Sequence, residues 1–73
     1  MLRAYKNDNG QTYTILLGNI GGSALLVKHS HPDGFDFIVT DYLSHGSWSN
    51  GSYHQTLVNA LEDYRKYSRE QEL

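Results

Sequence analysis

Only one stretch of this chain repeats with a helical period, and it comes last. Leu57, Ala60, Leu61 and Tyr64 recur at three- and four-residue steps, the spacing that stacks side chains on one helical face. Val58 widens that stripe. Thr56 can cap the helix by accepting a backbone N–H bond, and Ser52 with Gln55 forms a rival capping box one turn earlier, so the helix is expected over about residues 56–69. A strand at residues 35–42 and a Gly/Ser-rich loop at 43–55 lead into it. A chain with a single helix must build the rest of its core from a sheet.

The earlier segments supply that sheet. Residues 2–6 form a short candidate strand, and Asn7, Asp8, Asn9 and Gly10 then tolerate the positive φ that a tight hairpin turn demands. Residues 11–17 alternate Tyr13, Ile15 and Leu17 against Thr12, Thr14 and Leu16, a period of two with β-branched and aromatic content. The glycines at 18, 21 and 22 punctuate the end of that strand. In residues 24–29 the apolar side chains are consecutive, which implies burial on both faces or a central place in the sheet. Pro32 and Gly34 give the next reversal a mechanism, and in residues 35–42 the face of Phe37 and Val39 is the better core candidate. Connections this short make neighbouring strands antiparallel. A short fifth strand or extended arm near residues 48–54, with Trp48 folded back over the sheet, would lie inside the loop.

Length and composition narrow the class. Seventy-three residues make one domain with a thin core, the kind that leans on a disulfide, a metal, a second copy or very regular packing. The absence of cysteine removes disulfides, thiolate metal sites and cysteine nucleophiles together, and fits a reducing compartment. A homodimer becomes the expected staple. The longest apolar runs, residues 15–17 and 24–27, are too short to cross a bilayer, and no basic segment leads into an apolar run at the start, so the expected location is cytoplasmic. Six basic residues give a net charge of −2, a poor composition for gripping phosphates. Arg65, Lys66 and Arg69 are the one local basic cluster. They sit at a helix C-terminus, where the dipole favours cations, among Glu62, Asp63, Glu70 and Glu72. The six tyrosines say more, because tyrosine suits half-buried positions and protein interfaces alike.

Candidate chemistry is sparse. His29 and His31 fall on the same side of a strand edge, as a metal site would want, with His45 or His54 as a third ligand; the spacing is common, and His31 sits in a turn where a polar residue is expected anyway. Asp33, Asp36 and Asp41 with these histidines could form an acid/base group, but so small a core is poorly suited to a desolvated cleft. No catalytic residue, metal or cofactor is assigned, and the expectation is a protein without enzymatic activity. The Gly18-x-x-Gly21-Gly22 run joins two strands and lacks the helix N-terminus or lysine of a phosphate loop. Trp48 stands out: it is either the lid of the core or an exposed anchor for a partner.

The pattern Trp48-x-x-Gly51-x-Tyr53-x-x-x-Leu57-x-x-Ala60-Leu61-x-x-Tyr64, following Phe37-Ile38-Val39, resembles the C-terminal half of small uncharacterised proteins of Gram-positive bacteria, their prophages and plasmids. That resemblance implies a context. Small acidic proteins of mobile elements are often inhibitors or modulators of a host protein, including those that block restriction or CRISPR effectors.

The expected architecture is α+β: an antiparallel sheet of about three to five strands with one C-terminal helix packed on one face. The other face, carrying Thr12, Thr14, Arg3 and Tyr5 with Leu16 and Ile38, or their alternates, would remain open for self-association. The expected function is a non-enzymatic binding protein, dimeric, that modulates or inhibits a host protein and uses Trp48, Tyr53, Tyr42, Tyr67 and Arg65 as contacts. A nucleic-acid-binding regulator and a histidine-dependent metal protein or small hydrolase are the alternatives. Leu61→Ala is expected to be the most damaging single change, at about 2–5 kcal/mol.

Overall fold

The computed structural model describes residues 2–30 and 33–72, with side chains as far as residue 66. It is an antiparallel meander followed by a helix: β1 (Arg3–Lys6), β2 (Thr12–Gly18), β3 (Ala24–Lys28), β4 (Phe37–Leu43), β5 (Trp48–His54) and α1 (Leu57–Glu72). The strands pair in the order β1-β2-β3-β4-β5. The fold is thus α+β with a five-stranded antiparallel sheet and one C-terminal helix. Residues 43–55, expected mainly as loop, hold β5, and Phe35 lies ahead of β4 rather than within it. Local side-chain bonds explain the late start of β4. Asp33 Oδ1 accepts from the Phe35 N–H at 3.0 Å, and Asp36 Oδ1 accepts from the Asp33 N–H at 3.1 Å. These short-range bonds offer the backbone an alternative to the ladder.

Local chemistry also closes the first hairpin and starts the helix. Asn7 Oδ1 accepts from the N–H groups of Asn9 and Gln11, both at 3.0 Å, the side-chain mimic of a backbone turn. Thr56 Oγ1 accepts from the Asn59 N–H at 3.3 Å, so the expected cap is the one used. The helix lies over β3, β4 and β5. Its packing stripe is Ala60, Leu61 and Tyr64, set against Leu25, Val39, Leu16 and Phe37. Ala60 is fully buried, and its small side chain lets the helix backbone approach the sheet closely. Leu57 and Val58, expected in the stripe, are exposed, because both precede Ala60, where the helix packing on the sheet begins. His54 Nε2 lies 2.9 Å from Asp63 Oδ2, a second tie between β5 and the helix.

The opposite sheet face is not open. A second apolar cluster fills it, with Tyr5, Tyr13, Ile15, Ala24, Leu26, Ile38 and Leu43 buried and Ile20 and Trp48 packed against them. Leu25 and Leu26 therefore serve opposite faces, which accounts for the consecutive apolar residues of β3. The sheet covers its own inner face by coiling. In a flat meander the β1–β2 and β4–β5 turns lie at opposite ends of their strands, and the two edge strands stand about 19 Å apart at the usual inter-strand spacing. Here the Asp8 N–H donates to the Gly46 carbonyl at 2.8 Å. The Tyr5 hydroxyl donates to the Ser44 carbonyl at 2.7 Å and reaches that of Ser47 at 3.1 Å. Rings from the two edge strands, Tyr5 and Trp48, have centroids 6.2 Å apart. This is the stagger of a barrel, in which one end of the first strand meets the other end of the last.

A bulge contributes to the coil. The β2–β3 register shifts between Ile15 and Leu17, which adds local twist; Leu16, opposite in face to Ile15, packs with the helix cluster. The expected open face is corrected accordingly: Tyr5 and Ile38 are buried within the coil, while Leu16 packs on the helix side.

Burial also re-ranks the sensitive positions. Leu61 is half-buried, whereas Leu25, Leu26, Ile38 and Leu43 are fully buried. We expect Ile38→Ala to cost about 2–5 kcal/mol and Leu61→Ala to cost less. Urea unfolding of both variants ranks them, and a larger loss at Leu61 would contradict a core built chiefly within the sheet.

Candidate functional site

The coil leaves a cleft of about 430 Å³ on the inner side of the sheet, within the range of small ligand sites. Four aromatic side chains line it: Tyr13 from β2, Phe35 from the approach to β4, and Trp48 and Tyr53 from the two ends of β5. Trp48 is half-buried, with its ring edge-on to Tyr13 at 5.2 Å and 89°. Tyr53 and Phe35 are 56% and 48% exposed, a large apolar area for side chains that border a core.

Backbone features of β5 seat the tryptophan. Asn50 has φ 51°, the left-handed region that asparagine tolerates better than most residues. Next to it, a Cβ on Gly51 would come within 2.5 Å of the Trp48 indole nitrogen. The indole can lie along its own strand only because residue 51 has no side chain. At the neighbouring turn Gly46 has φ 85°, and any Cβ there would overlap the Asp8 carboxylate.

Much of the polar chemistry around the cleft is committed. The Tyr13 hydroxyl donates to Gln11 Oε1 at 2.8 Å and accepts from Asn7 Nδ2 at 3.4 Å, while Asn7 Oδ1 holds the hairpin turn. Lys28 Nζ lies 3.8 Å from Asp33 Oδ2. Several lining groups have no hydrogen-bond or ion-pair partner among the described residues: the indole N–H of Trp48, the side chains of Asn9 and Ser47, the Tyr53 hydroxyl and the exposed Asp8 carboxylate. Both beneath and beside the cleft, tyrosine ionisation is suppressed. Burial pushes the Tyr5 phenol above its usual 10.0, the charge of Asp8 pushes it further, and a backbone hydrogen bond from Gly46 opposes the rise. Tyr13 is raised from 10.0 by burial first and then by Tyr53, Tyr5 and Asp33.

Of the residues singled out from sequence, Trp48 and Tyr53 come together in the cleft. Tyr42 is exposed on β4 and Arg65 is exposed on the helix, and neither lines it. The side chain of Tyr67 and the whole of His31 lie outside the described residues. His29 Nε2 is 2.6 Å from Thr14 Oγ1, and the described residues hold no cluster of three or more metal-ligating side chains. Sequence reading missed Tyr13, Phe35, Asp8, Asp33 and Lys28 as lining residues. Tyr13 was legible only as a strand residue, Asp8 as a turn former and Asp33 as part of a candidate acid/base group, because nothing local signals that the coil brings them together. A second depression of about 370 Å³, bounded by the β2–β3 turn and Tyr64, has no charged side chain in its wall.

No helix among the described residues is long and apolar enough to cross a membrane. Comparison of the chain with protein-family models, curated proteins and solved structures gave no match.

Two outcomes follow from this geometry. Gly51→Ala is expected to displace the indole from its strand, seen as a red shift of tryptophan emission; an unchanged spectrum would contradict the close approach. Neutral Tyr5 and Tyr13 phenols favour the folded state, so their contribution is complete below about pH 10, the ordinary tyrosine pKa. It is lost as pH rises through the higher folded-state values, because the unfolded chain ionises first. Thermal unfolding should therefore shift to lower temperature above about pH 10, and Tyr5→Phe should lessen that dependence. A midpoint flat across this range in the wild type would refute it.

Proposed function

We propose that this is a non-enzymatic binding protein that works by occupying the surface of another protein, as a modulator or inhibitor of a host protein encoded by a phage or mobile element does. One observation carries the reading: the sheet buries Tyr5, Ile15, Leu26 and Ile38 completely or nearly so, yet leaves Phe35 and Tyr53 exposed beside half-buried Trp48 in a single cleft. Exposed aromatic residues grouped around a concavity are the composition of interface hot spots. Trp48 packs on Tyr5 and Tyr13 at one side and lines the cleft at the other, so little of its side-chain entropy remains to be lost on binding.

The nucleic-acid alternative is less favoured. Aromatic faces can stack bases, but the basic residues Arg65 and Lys66 stand on the helix, across the sheet from a cleft whose charges are Asp8 and Asp33 against Lys28. Self-association belongs to the same reading as the partner surface. Leu2 and Leu17 are exposed apolar side chains outside the cleft lining, so pairing of copies there would leave the cleft free. Light scattering across micromolar concentrations tests that pairing.

Affinity capture from bacterial lysates tests the main proposal. The wild-type protein and Tyr42→Ala should each retain one stoichiometric partner, and Tyr53→Ala should lose it while keeping its thermal midpoint. Capture of no partner, or equal capture by Tyr53→Ala, would count against it.

A further inference from the structure

We propose that the cleft takes an extended, proline-rich peptide segment bearing an arginine or lysine, an inference that rests on the binding-protein reading and names the chemistry of its partner. The aromatic lining and the net charge of the cleft point to this occupant. Of the three carboxamides at the cleft, Asn7 bonds to the hairpin turn and to Tyr13 and Gln11 accepts from Tyr13, which leaves Asn9 with an unpartnered side chain. What stands ready beside the aromatic faces is a small set of hydrogen-bond donors, the Trp48 indole N–H and the Tyr53 hydroxyl among them, and one unpaired anion, Asp8.

A polyproline segment matches that set. It has no N–H at its prolines to leave unsatisfied, its carbonyls are free to accept from the indole, and its extended form is already present before binding. Proline rings pack on aromatic faces, here those of Tyr53, Phe35 and Trp48. Charge supplies the second requirement. Lys28 is balanced by Asp33 at 3.8 Å, so the net charge of the cleft is that of Asp8, and a cation on the peptide complements it. A guanidinium suits a carboxylate particularly well because it can donate two parallel bonds.

The test uses the intact protein and a synthetic peptide of prolines and arginines, titrated while the single tryptophan is followed by fluorescence. A saturable blue shift is expected. Tyr53→Ala should weaken binding about tenfold or more. Asp8→Asn should weaken it and reduce its dependence on salt. Both residues are exposed, so the fold should survive, as circular dichroism checks. Replacing the arginines of the peptide with glutamate should abolish binding.

Absence of a saturable change at millimolar peptide would overturn the inference, as would binding indifferent to Asp8→Asn or to the charge of the peptide, or tighter binding of a soluble oligosaccharide. The two readings fail separately. A captured partner lost in Tyr53→Ala, together with no peptide binding, would leave the binding-protein proposal standing and remove only the polyproline occupant.

Discussion

The fold depends on a contact between its two edges. A meander of five strands with one helix has an apolar face too many, and this chain covers it by bringing the first strand to the last. Tyr5 and Trp48 belong to the edge strands, yet their rings are 6.2 Å apart, and Tyr13 completes a cluster of three rings around them. Polar bonds at the same place fix the stagger, from Tyr5 to Ser44 and from Asp8 to Gly46. For a chain this short the gain is large. Domains near this size bury only about 60% of the surface their unfolded chains expose, and a sheet that packs on itself removes a face from water without a second layer. No disulfide takes part, since the chain has no cysteine.

Two clusters share the sheet, and the period of a strand assigns residues to them. Leu25 and Val39 face the helix while Leu26 and Ile38 face the interior of the coil. A one-residue slip at β3 would exchange both sets, so the register there is pinned from two sides. At β2 the register shift beside Leu16 adds twist, and Leu16 reaches the helix by the same alternation that turns Tyr13 and Ile15 into the coil. Among the described side chains the helix is anchored in its first half, by Ala60, Leu61 and Tyr64, with His54 and Asp63 beside them.

What could be read in the sequence was what neighbours in the chain decide. Thr56 caps the helix, Asn7 organises the first turn and the residues of β3 are buried on both faces, all by short-range chemistry. The strand β5 was harder to see because its residues, Trp-Ser-Asn-Gly-Ser-Tyr-His, include few β-formers and no apolar alternation. It is held by pairing with β4 and by the anchoring of Trp48, not by propensity. The coil was invisible for a related reason: Tyr5 and Trp48 meet only after every strand between them has twisted. The choice between Trp48 as lid and Trp48 as anchor also dissolves in three dimensions. One part of the indole packs on Tyr5 and Tyr13, and the ring still lines the cleft.

Closure of the coil and the lining of the cleft are coupled, but they use different atoms. Asp8 contributes its backbone N–H to the bond that joins the two turns and its carboxylate to the charge of the cleft. Gly46 accepts that bond through its carbonyl, and its lack of a side chain makes room for the carboxylate. Replacing the Asp8 side chain therefore alters the electrostatics of the cleft while leaving the closing hydrogen bond in place, whereas adding a side chain at Gly46 disturbs both. The same division holds on β5, where Tyr53 is exposed and dispensable to the core while Trp48 is shared. Such separation lets a domain this small vary the residues of its cleft without giving up the coil that presents them.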